Sequence, residues 1–253
     1  MQNENLKTKY IYHYTTIEAL VLILKYKCLK FNTLNVLDDM EEGETQDFKD
    51  FGKFCYVSCW TNEHKESIAL WNMYSKDMHG IRIGLPIEMI DFDRAMENIP
   101  KFFEDNGLKL FKPENNTSII PLTKVNYSKN LKKEKDEVLK VNGKKLKLDL
   151  TKFGVLKNSD WQFQNEFRFM VYSAPKNIDE ILNLKLDDAR KTLQNYVNPV
   201  KFVYVPIKDE AIKNIKILMG PRCSESLREV VNLLVKVHNL NPENITRSAL
   251  KIR

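Results

Sequence analysis

Apolar and polar positions alternate along several short segments of the chain, with the two-residue period that is typical of a half-buried strand. The segment 54–61 has this pattern, and the polar turn that follows contains neither Gly nor Pro. Apolar residues then recur at helical spacing, at Ile68, Leu70, Trp71 and Tyr74. A strand that leads through a turn into a helix predicts a pocket at their junction. The strand side chains at this junction are Tyr56, Ser58 and Trp60.

The same two periods predict further elements on both sides of this segment. The predicted strands are 10–14, 28–33, 81–85, 122–127, the later part of 161–172, 202–207 and 217–219. The predicted helices follow Thr15 and cover 91–103, 182–196 and 226–237. Thr15 with Glu18, and Ser226 with Glu229, have the spacing of a capping box, which predicts the start of a helix at each Ser or Thr. The acidic residues 34–48 are expected to form a loop that leads into a short helix.

Length and composition are those of an ordinary globular protein. The chain has 253 residues, of which 43% are hydrophobic and 29% are charged. Because we find no internal repeat, low-complexity tract or linker, we predict one α+β domain over residues 1–253. Its sheets are expected to be mixed and mostly antiparallel, with flanking helices. Residues 107–152 fit this pattern least and are interpreted as a Lys-rich insertion or flap.

The charge balance is mildly basic, with 40 Lys and Arg against 34 Asp and Glu and a net charge of +6. This balance permits an acidic partner such as nucleic acid or a dinucleotide without requiring one. Much of the excess lies in the Lys-rich segment 129–147. A solvated helix or flap is the favoured interpretation of this segment, and an arm that faces nucleic acid is the alternative.

Cysteine usage and the N-terminal residues indicate a reduced compartment. The four cysteines include no CxxC pair and no Cys/His cluster with zinc spacing, so we expect free thiols and no metal.

The N-terminal residues lack the apolar core of a signal peptide. The longest apolar run, 19–24, is too short to span a bilayer. We therefore expect a cytoplasmic protein with no membrane association. The oligomeric state is left open.

Two ionisable residues stand out as candidates for chemistry. His13 is flanked by tyrosines at the end of the first predicted strand, where it either holds a substrate hydroxyl or is a satisfied core group. Glu166 lies within a predicted strand, where an acidic residue is costly unless it is paired or functional. Arg168 points to the same face and is the simplest pairing partner. The functional alternative, favoured by the nearby Trp161 and Gln164, is a carboxylate that binds a ribose hydroxyl or stabilises a cationic transition state.

Other polar groups carry weaker signals. The five acidic residues of the loop have no regular ligand spacing, which favours a cluster that complements a helix dipole over an acid–base pair or a divalent-ion site. They are Asp38, Asp39, Glu41, Glu42 and Glu44. Ser58 and Ser67 have no GxSxG context, so a serine nucleophile is not expected. The chain has neither GxGxxG nor GxxxxGK[ST], which removes support for a Rossmann or P-loop nucleotide site.

An ordered set of short motifs resembles domain-of-unknown-function family 2971. The motifs are HYTT at 13–16, LxxxxDxxE around 34–42, SCWT at 58–61, ESIALWNMYS at 66–75, GIRIG at 80–84, WxxxxEFRF at 161–169 and ILMGPRCS at 217–224. They extend over nearly the whole chain, from residue 10 to about residue 237. That family in turn resembles, more distantly, the ADP-ribosyltransferase fold, which implies a split-sheet core.

The resemblance also implies a reaction and a set of site residues. It implies NAD as the substrate, with His13 holding the ribose, an aromatic residue stacked on nicotinamide, and Glu166 supporting transfer. Tyr56 matches the stacking position by its place on a strand before a helix. The expected NAD-binding residues are His13, Tyr14, Thr15, Tyr56, Ser58, Trp60, Trp71, Tyr74 and Arg168.

The leading hypothesis is therefore an NAD-dependent ADP-ribosyltransferase-like effector that modifies nucleic acid or protein. We expect a context in phage defence or a toxin–antitoxin system. The alternative is a non-catalytic module that binds nucleic acid or protein, with the Lys-rich segment 129–147 contributing to nucleic-acid recognition.

Overall fold

The structure is a computed structural model, and it describes residues 9–113 and 118–252. The signal-peptide prediction rests mainly on residues 1–8, which lie outside the described residues, and residues 114–117 of the proposed flap and residue 253 do so as well.

Fourteen strands are numbered here in chain order within the described residues. They are β1 Tyr10–Thr15, β2 Cys28–Thr33, β3 Cys55–Thr61, β4 Ile81–Pro86, β5 Leu108–Phe111, β6 Leu122–Lys124, β7 Asn126–Ser128, β8 Leu139–Asn142, β9 Lys145–Leu148, β10 Leu156–Asn158, β11 Glu166–Pro175, β12 Phe202–Pro206, β13 Lys216–Met219 and β14 Ile245–Arg247.

Eight helices in the same part of the chain complete the regular structure, together with short 3₁₀ turns. The helices are α1 Ile17–Tyr26, α2 Ile68–Tyr74, α3 Phe92–Asp105, α4 Leu131–Glu134, α5 Ile178–Ile181, α6 Leu186–Asn195, α7 Asp209–Lys213 and α8 Glu225–Val237. The fold is therefore mixed α+β, as predicted.

The chain forms two compact units, which are described separately. Unit 1 consists of residues 1–29, 60–92 and 205–253, and unit 2 of residues 30–59 and 93–204. The chain passes from one unit to the other within β2, β3, α3 and β12 rather than in linkers.

Unit 1 is built around β1 and β4, which pair antiparallel along their whole length. β13 pairs antiparallel with β4 on its other side, and β14 pairs parallel with β13. Ile11, Ile83 and Ile217 are fully buried, so alternate positions of these strands form a core. On the opposite side of the strands, Tyr14 packs with Trp71 and other apolar residues around α2.

Unit 2 is organised by β11, whose ten residues are all buried. β11 pairs antiparallel with β5 and with β6, and β2 pairs antiparallel with β3. β8 and β9 form an antiparallel hairpin, whereas β7 and β10 form a parallel pair. Most of the strand pairs in the two units are antiparallel, which confirms that part of the predicted fold class.

The predicted helix starts are displaced by one or two residues. The side chain of Thr16, not Thr15, accepts the N-cap hydrogen bond of α1 from the amide of Ala19. Ser224, not Ser226, caps α8 by accepting from the amide of Leu227. In both cases two hydroxyl residues lie close together, and sequence spacing alone does not decide which one leaves helical geometry.

The acidic segment begins with a 3₁₀ turn at Leu34–Val36 and continues as turns, and the short helix that follows it is a second 3₁₀ turn, Gly52–Phe54. Glu42 is buried. The prediction that Glu42 complements a helix dipole is wrong, because this carboxylate is committed to cations inside unit 2. Within the described residues, no helix is long and apolar enough to span a bilayer.

Candidate functional site

Four charged side chains are buried together in unit 2, and we call them the Glu166 cluster: Glu42, Lys157, Glu166 and Arg168. Each is at most 4% exposed. Glu166 and Arg168 alternate with apolar residues on β11 and so point to one face, whereas Lys157 comes from β10 and Glu42 from the acidic segment. Two carboxylates and two cations give the cluster no formal net charge.

The geometry of the cluster is that of a closed ion-pair network. Nε of Arg168 donates to Oε1 of Glu166 at 2.6 Å, and Nη2 donates to Oε2 at 3.1 Å. Nζ of Lys157 lies 3.2 Å from Oε2 of Glu166 and 2.8 Å from Oε1 of Glu42. Arg168 also forms an ion pair with Glu42. The bidentate contact holds the Glu166 carboxylate in one orientation.

A glycine shapes the wall behind Arg168. Nη1 of Arg168 donates to the carbonyl of Gly154 at 2.8 Å. Gly154 has φ +79°, and an added Cβ would lie 3.2 Å from Sγ of Cys55 and 3.3 Å from Sδ of Met170. A side chain here would therefore meet both backbone strain and a crowded core.

The cluster keeps Glu166 ionised. Burial acts to raise the pKa of Glu166, but Arg168, Lys157 and a hydrogen bond from Cys59 outweigh burial and lower the pKa to about 2. A group with this pKa is a poor general base near neutral pH. It is instead a fixed negative charge and a hydrogen-bond acceptor.

Three polar or aromatic groups surround this carboxylate. The backbone amide of Glu166 donates to the hydroxyl of Tyr127 at 2.9 Å, and burial is the main cause that raises the pKa of Tyr127 to about 12. Burial likewise raises the pKa of the Cys59 thiol, which therefore stays protonated. Nζ of Lys157 lies 4.9 Å from the centre of the Trp161 ring. Tyr127, Cys59 and Trp161 are all partly exposed.

Tyr56 and Ser58 lie elsewhere in unit 2. Tyr56 is fully buried, its ring centre is 5.3 Å from that of Phe103, and its hydroxyl accepts from Nδ2 of Asn198 at 2.8 Å. Ser58 is 7% exposed. By strand alternation both point to the face of β3 opposite to Cys59. Their assignment to NAD binding stays a prediction.

A pocket in unit 2 reaches one member of the cluster. Its walls include Glu42, Lys135, Asp149 and Gly154. Its volume of about 20 Å³ is enough for about one water molecule, which is far too little for a dinucleotide. This pocket is therefore not the NAD site that the sequence predicts.

His13 is paired with an aromatic ring in unit 1. It is partly exposed in the middle of β1, and its ring centre lies 5.2 Å from that of Trp60 at an angle of 39°. Trp60 itself is 3% exposed. The structure thus brings together two of the predicted site residues. Thr15, on the same face of β1, is 8% exposed.

Tyr14, Trp71 and Tyr74 form a second aromatic group in unit 1. The rings of Tyr14 and Trp71 meet edge to face, with centres 4.8 Å apart, and Tyr74 packs against this cluster. The Trp71 indole donates to Glu66 at 2.9 Å. The hydroxyl of Tyr14 accepts from the amide of Ser67 at 2.9 Å and lies 3.5 Å from Nη1 of Arg82.

Sequence reasoning did not predict that three charged residues are buried in these sites: Glu42, which it considered only as a member of the acidic loop, Lys157 and Arg82. Glu42 belongs to the LxxxxDxxE motif, which indicates the family but does not indicate that the Glu42 side chain is buried. Lys157 lies in a short polar segment that resembles a surface strand. Arg82 lies in GIRIG, where alternation predicts that it faces away from the isoleucines but says nothing about its burial.

The protein is therefore mixed α+β, with the buried Glu166 cluster in unit 2 and with His13 beside Trp60 in unit 1. Residues 70–169 match the model of a family described as a protein of unknown function, DUF2971. The match supports the resemblance over less than half of the chain; it includes Trp71, Arg82 and Glu166 and does not reach His13. No curated protein and no solved structure matches the chain.

Proposed function

We propose that this protein is an ADP-ribosyltransferase-like enzyme that uses NAD as its substrate. The observation that supports the proposal is the state of Glu166, a buried carboxylate that Arg168 and Lys157 keep ionised and oriented. Breaking the bond between nicotinamide and ribose develops positive charge on the ribose. A fixed carboxylate stabilises such charge or accepts a hydrogen bond from a ribose hydroxyl without first having to lose a proton.

The proposal gives the other predicted residues binding roles. His13 holds a ribose hydroxyl, and Trp60, whose ring lies beside His13, is the aromatic neighbour of that contact. Arg168 acts by orienting Glu166 rather than by touching NAD, because it is fully buried and its nitrogens are committed to Glu166, Glu42 and Gly154. The acceptor is nucleic acid or protein.

The test compares two carboxylates of the same cluster. Glu166→Gln and Glu42→Gln each remove one negative charge from the network, so a purely structural role predicts a similar loss of activity once rates are normalised to folded protein. A catalytic role predicts that nicotinamide release from NAD falls by at least about 100-fold in Glu166→Gln only. Equal rates of nicotinamide release per folded molecule for wild type and Glu166→Gln would contradict the proposal.

A second measurement addresses His13. If His13 holds the ribose, His13→Ala is expected to weaken NAD binding by about tenfold, as measured by titration calorimetry, whereas substitution of the partly exposed His238 leaves it unchanged. Unaltered NAD affinity in His13→Ala would remove this residue from the proposed mechanism.

The second candidate function is a non-catalytic nucleic-acid-binding module. It is favoured by the exposure of Lys132 and Lys133 on α4 and of Lys144 and Lys145 at the β8–β9 hairpin. This module predicts oligonucleotide binding that weakens steeply with salt and with replacement of these four lysines. Replacement of four exposed lysines of α6 and α7 and their flanks, Lys185, Lys191, Lys208 and Lys213, is the control. If oligonucleotide affinity changes neither with salt concentration nor with replacement of the first four lysines, this function is contradicted.

A further inference from the structure

Arg82 is a buried cation in unit 1 to which none of the described carboxylates is paired. It lies on β4, directly across from Tyr14 of β1, and is 6% exposed. Its Nη1 donates to the backbone carbonyl of His64 at 2.9 Å and lies 3.5 Å from the Tyr14 hydroxyl. Neither group carries a charge. The nearby Glu66 has its oxygens committed to the Trp71 indole and the amide of Ala249.

One hydrogen-bond donor of Arg82 is unsatisfied. Its Nε is buried and has no hydrogen-bond partner among the described residues. Buried polar atoms are nearly always satisfied, and buried charges are nearly always paired, because each exception costs free energy. An arginine whose Nε has no partner and whose charge is matched by none of the described carboxylates is therefore poorly explained as a structural residue.

The surrounding strands are shaped to hold this guanidinium. Its central carbon lies 4.6 Å from the centre of the Tyr12 ring and 5.7 Å from that of Tyr14. The Tyr12 ring lies over Gly84, where an added Cβ would approach it to 2.9 Å. Gly84 thus leaves room for a tyrosine ring against the strand, and that ring supports the flat face of Arg82.

A second cation lies on the same side of these strands. Lys216 of β13 pairs in register with Gly84, two residues from Arg82, and its Nζ lies 4.0 Å from the centre of the Tyr10 ring. His64, which is exposed, meets the Tyr12 ring edge to face. The face made by Tyr10, Tyr12, Tyr14, Arg82 and Lys216 therefore combines positive charge with aromatic rings.

We propose that Arg82 is the anchor of an anion site that takes a phosphate or diphosphate group of a nucleotide. The planar guanidinium matches two oxygens of a phosphate, which supplies the missing counter-ion. Lys216 adds a second positive charge, and the tyrosine rings supply surface for the rest of the nucleotide. This inference deepens the proposed function, because NAD carries a diphosphate, but its geometry rests on unit 1 alone.

The experiment uses thermal unfolding and titration calorimetry with three probes: ADP-ribose, inorganic pyrophosphate and nicotinamide riboside, which has no phosphate. The wild type is expected to bind ADP-ribose and pyrophosphate and to be stabilised by them more than by nicotinamide riboside. Binding of both phosphate probes identifies the diphosphate as the recognised group, whereas binding of ADP-ribose alone shows that the nucleoside is needed as well.

The decisive variant is Arg82→Met, with the exposed Arg247→Gln as a control for the lost charge. Because the unpaired charge is costly in the free protein, Arg82→Met is expected to melt at or above the wild-type temperature and to lose at least tenfold in affinity for the phosphate probes. If it does not fold, Arg82→Lys keeps the charge but not the bidentate geometry, and is expected to weaken binding by about tenfold.

Two outcomes overturn the site: the wild type binds neither phosphate probe, or the folded Arg82 variant binds them as tightly as wild type and Arg247→Gln. Failure of the enzyme proposal is a different result. If the phosphate probes bind through Arg82 while no nicotinamide is released from NAD, the anion site is supported and the proposed transfer reaction is contradicted.

Discussion

At the scale of single residues, two carboxylates of one ion cluster have opposite pKa shifts. The pKa of Glu166 is lowered to about 2, because Arg168 and Lys157 outweigh its burial. The pKa of Glu42 is raised, because burial outweighs the same two cations. The difference follows from geometry: Glu166 accepts two hydrogen bonds from Arg168 and one from Cys59. Proximity to a cation alone does not set the sign of a shift.

These shifts predict a specific acid sensitivity. Glu166 has an ordinary pKa of 4.5 and a folded-state pKa of about 2, so its stabilising contribution is complete above pH 4.5 and is lost as pH falls towards 2. Glu42 acts in the opposite direction, because protonation favours its folded form. Urea unfolding of the wild type between pH 5 and about pH 2 should show this loss, and Glu42→Gln should keep it.

The variant Glu166→Gln is expected to lose about 3–5 kcal/mol at neutral pH, because it leaves two cations under-compensated, and to lack this part of the acid transition. An unchanged acid transition in Glu166→Gln would show that Glu166 has an ordinary pKa in the folded protein.

At the scale of elements, local signals located the helices and strands but misplaced their ends. Two hydroxyl residues near the start of α8 both fit an N-cap, and the structure selects Ser224, whose side chain accepts from the amide of Leu227. Ser226 lies inside the first turn, where its hydroxyl is 3.0 Å from that of Ser224.

Ser224→Ala is therefore expected to lower the free energy of unfolding by about 1 kcal/mol, because an amide at the helix start loses its partner. Ser226→Ala is expected to change it by less than about 0.5 kcal/mol. Chemical denaturation of both variants measures the difference. A larger loss in Ser226→Ala would move the cap back to the residue that sequence spacing favours.

The contact between β1 and β4 depends on a missing side chain. Gly84→Ala places a methyl group 2.9 Å from the Tyr12 ring, which has to move, at a cost of about 1–3 kcal/mol. In a Tyr12→Ala background the same change should cost little, because the obstructing ring is gone. A double-mutant cycle measures this coupling, and additive effects would rule the contact out as the reason for the glycine.

At the scale of the whole molecule, the chain forms two compact units, yet it crosses between them inside helices and strands. This path has no flexible linker of the kind that separates independent domains. The prediction of one domain over residues 1–253 can therefore be tested by the cooperativity of unfolding.

We expect one calorimetric transition whose measured enthalpy equals the van't Hoff enthalpy, because a break at a unit boundary also interrupts a strand or helix. Scanning calorimetry of the wild type at several scan rates provides the check. Two resolved transitions, or a calorimetric enthalpy well above the van't Hoff value, would mean that the units unfold separately.

Sequence reasoning determined the α+β class, most strand positions and the faces of β11, because two-residue and 3.6-residue periods are local consequences of backbone geometry. It also picked out His13, Trp60, Glu166 and Arg168, whose residue types are unusual in their local patterns. Only the tertiary structure decided which charges are buried and what they meet. Glu42 joins Glu166 from a segment more than a hundred residues away and Lys157 joins it from the neighbouring strand β10, whereas Arg82 is paired with none of the described carboxylates. Burial and pairing arise from contacts between segments far apart in the chain, and no local period encodes such contacts.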